Sequence, residues 1–88
     1  MDKFIFTRDI TKREAVNQYG KLGFTLHREA VVIEAINYYE AIEFIKPFNY
    51  KKHIKFKICR DPKYDNKQLM DSKPLNTIVD LGIVDLKW

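Results

Sequence analysis

The chain has one cysteine, one serine, two histidines and three glycines among its 88 residues. The single thiol, Cys59, excludes an internal disulfide. It also excludes a cysteine-built zinc site, because one thiolate and two distant histidines cannot supply four ligands. Ser72 lies in a polar stretch with no histidine near it in sequence, so a serine nucleophile would have no neighbouring base. Gly20, Gly23 and Gly82 are too scattered to form a phosphate-cradling loop. A Cys59–His53 dyad fails on distance: six residues of extended strand separate the two by roughly 20 Å. Glu40 and Glu43 share a helical face at i, i+3, which reads as a solvated surface. No metal, no cofactor and no enzymatic activity are therefore expected.

Long apolar runs are also missing. The longest candidate, Ala30 to Ile45, is broken by Glu34, Asn37, Glu40 and Glu43, so it is not a membrane span. Met1 to Arg8 alternates charged and apolar residues and has no signal-peptide core. With a lone thiol, these features predict a cytoplasmic protein.

An apolar fraction of 45% and 12 aromatic residues predict a folded chain. At this size the expectation is one domain over residues 1–88. Its folded surface would be about 5,400 Å² if compact, enclosing one thin core.

Lys3 to Thr7 reads as a strand with Phe4 and Phe6 on one side. Thr11 and Glu14 have capping-box spacing, which predicts a helix over Lys12–Tyr19 ending at Gly20. Thr25 is a candidate N-cap for a second helix, Leu26 to Lys46, stopped by Pro47. On a helical wheel this second helix is apolar over most of its circumference. Such a helix is either the centre of a core or an association surface. Tyr38, Tyr39, Ile42 and Ile45 are the candidate interface residues, since tyrosine is common at binding hot spots.

Tyr50 to Arg60 shows period-2 alternation, with Ile54, Phe56 and Ile58 against His53, Lys55, Lys57 and Cys59. Asp61-Pro62 ends that strand. Residues 61–76 read as a loop with a helical turn at Lys67–Met70. Ile78-Val79-Asp80-Leu81 is echoed by Ile83-Val84-Asp85-Leu86, with Gly82 between as a bulge or bend. Asp80 or Asp85 could pair across strands with Lys55 or Lys57. The expected fold is α+β in the order β-α-α-β-β, with room for one more strand. Three or four antiparallel strands would carry the helices on one face.

Net charge is +4, and its placement matters more than its size. Residues 46–67 hold eight basic and two acidic residues, a net of +6, while the flanking segments are each near −1. Lys51, Lys52, Lys55, Lys57, Arg60 and Lys63 are the candidate phosphate contacts, for RNA or DNA or a nucleoprotein. Phe56 points away from the basic face, so that face has no aromatic platform for bases. The same pattern also describes a solvated, lysine-protected edge.

Residues 11–48 contain Thr11-Lys12, Leu22-Gly23-Phe24, Ala30, Ile36-Asn37-Tyr38-Tyr39, Phe44 and Pro47-Phe48. This segment resembles the opening of the Abi-type abortive-infection proteins of bacteria and their mobile elements. Glu40 stands where that family usually has a basic residue after the tyrosine pair. The Arg-x4–6-His motif of some relatives is absent before His27 and His53, so no ribonuclease activity carries over. The resemblance implies a setting of phage–host conflict, with RNA or a defence protein as partner. Two functions follow as expectations. One is a small non-enzymatic module occluding a nucleic acid or nucleoprotein through residues 46–67. The alternative is a protein-interaction module, with homodimerisation as one form, that regulates a host defence protein through the 26–46 segment.

Overall fold

The computed structural model describes residues 1–16, 22–50 and 53–84. Its frame is a long antiparallel hairpin of β1 (Asp2–Val16) and β2 (Leu22–Ala35). The register is unbroken from Asp2 opposite Ala35 to Arg13 opposite Phe24. Strand side chains alternate between faces. Phe4, Phe6, Val31, Ile33 and Ala35 therefore share one face, and Ile5, Ala30 and Val32 share the other.

Both faces are covered over this half of the hairpin. On the first, α1 (Tyr38–Ile45) lays Ala41 and Ile45 against Phe6, Val31 and Ile33. Phe56 joins the same cluster. On the second, α2 (Lys67–Ser72) brings Leu69 and Met70 against Ile5, Val32 and Cys59. Ile5, Val31, Val32 and Ile33 have no exposed surface. Each such side chain contributes roughly 1.5–3 kcal/mol of transfer free energy.

Two short strands flank the hairpin, β3 (Lys57–Ile58) beside β1 and β4 (Val79–Ile83) beside β2. The antiparallel sheet has the order β3-β1-β2-β4. The α+β class and the antiparallel sheet are those the sequence predicts. The helical turn at Lys67–Met70 is present as α2, capped by the Asn66 side chain, which accepts from the Leu69 N–H. Gly82 does sit at an irregularity between β2 and β4, with φ +102°, and its N–H donates to Asp80.

Several elements differ from the sequence expectation. Lys12 to Val16 continue β1, and residues 17–21 lie outside the described set. Thr11 pairs with Leu26 in the ladder, so the Thr11–Glu14 spacing does not cap a helix. Leu26 to Ala35 are strand, and the helix starts only at Tyr38. The reason is burial on both faces at residues 30–33: a strand buried on both sides shows a continuous apolar run, which periodicity cannot separate from a buried helix. The two helices lie on opposite faces of the sheet rather than on one. Of the described residues of the predicted strand Tyr50–Arg60, only Lys57–Ile58 enters the sheet. A 3₁₀ turn, Lys46–Asn49, precedes it, and the Asn49 side chain accepts from the Phe56 N–H.

The accessible surface, 6603 Å², exceeds the ~5,400 Å² of a compact chain this size. The longest dimension is 51 Å. A 15-residue strand spans about 50 Å, so β1 accounts for that length. Beyond Thr7 and Ala30 the hairpin continues as a charged arm, beginning with Arg8, Asp9, Arg28 and Glu29.

Candidate nucleic-acid interface

The arm begins with two oppositely charged pairs set by the register. Arg8 faces Glu29, and Asp9 faces Arg28. Consecutive residues point to opposite faces, so each side of the sheet receives one pair. On the α1 face, Arg8 donates from Nε and Nη2 to one Glu29 carboxylate oxygen at 3.0 and 2.9 Å. Its guanidinium lies 4.2 Å from the centroid of Phe56. On the α2 face, Arg28 donates to both Asp9 oxygens at 2.7 and 3.0 Å. It stacks 5.1 Å from the Tyr64 centroid and approaches Asp61 at 3.9 Å. The Asp9 hydrogen bonds raise the Arg28 pKa further above its ordinary value.

Further out on the α1 face, Lys12 bridges Asp80 at 2.8 Å and Glu29 at 3.6 Å. His27 Nδ1 lies 3.0 Å from Asp80. The Lys12 hydrogen bond, helped by the Gly82 N–H, holds the Asp80 carboxyl down at about 2. The same bond, donated by the Lys12 ammonium to Asp80, raises the Lys12 pKa. Asp80 is therefore committed to β1 and β2. It does not pair with Lys55 or Lys57, which belong to the opposite edge of the sheet. Asp85 lies outside the described residues.

The cations of the middle segment are arranged differently. Lys55, Lys57, Arg60 and Lys63 are exposed, and none makes an ion pair among the described residues. Lys63 lies 5.4 Å from the Tyr64 ring. Lys51 and Lys52 fall outside the described residues. Cys59 follows on the Lys57 side of the strand but is only 6% exposed, packed with Ile5 and Val32. That side is thus basic at Lys57 and apolar one step later.

A groove of about 320 Å³ opens where β3 parts from β1. Thr7, Arg8, Asp9 and Arg28 line it from the hairpin, and Ile54, Lys55 and Lys57 from the other side. Sequence reasoning missed Arg8 and Arg28. Their signal was the run Arg8-Asp9 against Arg28-Glu29, two complementary pairs that become visible only once the hairpin register is known.

The candidate protein interface is divided by the fold. Ile45 is 3% exposed and belongs to the core, and Ile42 packs against the same cluster. Tyr38 leans toward Phe4, with ring centroids 6.4 Å apart. Tyr39 remains, 78% exposed, beside Ile36 at 67%. Ile42 and Ile45 turn inward because they share the Tyr38–Ala41 stripe of an amphipathic helix.

Among the described residues no group of three or more His, Cys, Asp or Glu side chains is placed to hold a metal ion. No described helix is long and apolar enough to cross a membrane. Comparison with protein-family models, curated proteins and solved structures finds no match.

Proposed function

We propose that the protein is a small non-enzymatic binding module that occludes a nucleic acid, or a nucleoprotein through its nucleic acid. The contact surface is the edge carrying Lys55, Lys57, Arg60 and Lys63, with Lys51 and Lys52 adjoining in sequence. One observation supports this reading. The described hairpin cations Lys3, Arg8, Lys12 and Arg28 each have a carboxylate partner, whereas Lys55, Lys57, Arg60 and Lys63 have none among the described residues. Uncompensated ammonium and guanidinium groups on one edge create a local positive potential that attracts a polyanion and releases its counterions. A setting of phage–host conflict is part of the proposal and rests on the Abi-type resemblance of residues 11–48.

Fluorescence anisotropy with labelled RNA and DNA oligonucleotides at several salt concentrations tests it. The expected log–log slope is about 0.7 per single-strand phosphate neutralised. Absence of binding at low salt, or binding indifferent to salt, overturns the reading.

A second reading is a module that docks on a host defence protein, or on a second copy of itself, through α1. Exposed Tyr39 and Ile36 favour it. Light scattering across a concentration series, with Tyr39→Ser as control, tests the homodimeric form. A species that stays monomeric throughout removes that form.

A further inference from the structure

The cations near the β1 edge are not equivalent. Lys55 and Lys57 line the groove at the β1–β3 junction, whereas Arg60 and Lys63 lie outside it. The groove lining carries four cationic side chains and one carboxylate, Asp9. That carboxylate is taken up by the two Arg28 hydrogen bonds. Arg8, whose side chain is 7% exposed, forms part of the wall and is held by Glu29. Among the described residues, the two lysines are the groups of this lining left without a carboxylate. The backbone adds to them. The Ile5 carbonyl accepts from the Cys59 N–H, so odd-numbered residues of β1 turn their N–H and C=O toward β3. β3 pairs only as far as Thr7, which leaves the Asp9 N–H directed at the groove edge without a strand partner among the described residues.

The nearby rings are already engaged. Phe56 is buried beneath Arg8, and Arg28 lies over one face of Tyr64. We infer that this groove seats one backbone phosphate of the nucleic acid, held by Lys55, Lys57 and the edge of β1. Contact there is therefore blind to base sequence. This inference rests on the nucleic-acid reading above and deepens it by dividing anchoring cations from diffuse ones.

Two paired variants remove equal charge: Lys55→Gln with Lys57→Gln, and Arg60→Gln with Lys63→Gln. All four positions are exposed, and retention of the wild-type melting temperature checks folding. The groove variant should lose about tenfold more affinity than the other, equally for homothymidine and homoadenosine oligonucleotides. Both variants should flatten the salt slope to a similar degree. Equal affinity losses in a protein that does bind overturn the groove and leave the general reading standing. No binding by the wild type overturns both. A base-dependent loss at Lys55 and Lys57 also overturns the groove assignment. As a second probe, inorganic phosphate should shift the backbone amide resonances of Thr7–Asp9 and Ile54–Lys57. Shifts spread evenly over residues 60–73 overturn it.

Discussion

The Arg8–Glu29 pair gives the sharpest test of how the arm is held. Its side chains are 7% and 12% exposed, so water does little to screen either charge. Substituting Glu29→Leu leaves a buried guanidinium with, among the described residues, the Ile54 carbonyl at 3.4 Å and the Phe56 ring. Breaking a buried pair on one side costs about 3–5 kcal/mol. A chain of this length has roughly 4–13 kcal/mol in total. Arg8→Met should cost less, because Glu29 keeps Lys12 at 3.6 Å. The double variant replaces both charges by apolar groups and should recover to within about 1–2 kcal/mol of wild type. The coupling between the sites should then exceed about 1 kcal/mol. Urea unfolding followed by circular dichroism measures it, with the Glu29→Leu midpoint falling by ~3 M at a slope of about 1 kcal/mol/M. If Glu29→Leu leaves too little folded protein, Glu29→Gln replaces it in the cycle. Additive losses, or a Glu29→Leu cost below about 1 kcal/mol, refute the argument that this pair is desolvated and coupled.

Two further outcomes follow from the same geometry. Asp80 titrates at about 2 when folded, below its ordinary 3.8, so it stabilises the fold above that ordinary value and loses the contribution as pH falls toward 2. Asp80 is 39% exposed, which limits this to under about 1 kcal/mol; Asp80→Asn should flatten the acid limb of a melting-temperature profile, and an unchanged limb counts against the pairing. The Asn37 side chain accepts from the Glu40 N–H at the start of α1, so Asn37→Ala should cost about 1 kcal/mol in urea titration, and no loss would show that packing alone fixes the helix start.

Legibility in the sequence varied with how local the signal was. The α2 turn, the Gly82 irregularity and the Phe4/Phe6 face depend on neighbouring residues, and the sequence displayed them. Leu26 to Ala35 did not show its nature, because two-sided burial erases alternation. The β-branched run Val31-Val32-Ile33 was the available clue, and Asn37 with Glu40 marked where the helix begins. Capping signals at Thr11 and Thr25 were real as spacing, yet pairing of the two strands overrode them. At the candidate interface, exposure of Lys55, Lys57, Arg60 and Lys63 followed from composition. The participation of Arg8 and Arg28 required the register, since they meet Lys55 and Lys57 only across the sheet edge.

The strand order β3-β1-β2-β4 also bears on how the chain is made. The two central strands are synthesised before the strands that border them, which come from residues 57–58 and 79–83. A nascent hairpin can form early, because its contacts are local in sequence. Until the later segments emerge, it presents two bare edges and an apolar patch on each side. The Arg8/Glu29 and Asp9/Arg28 pairs place charge on both faces of that hairpin, and charge beside apolar strand surface disfavours association between unfinished chains.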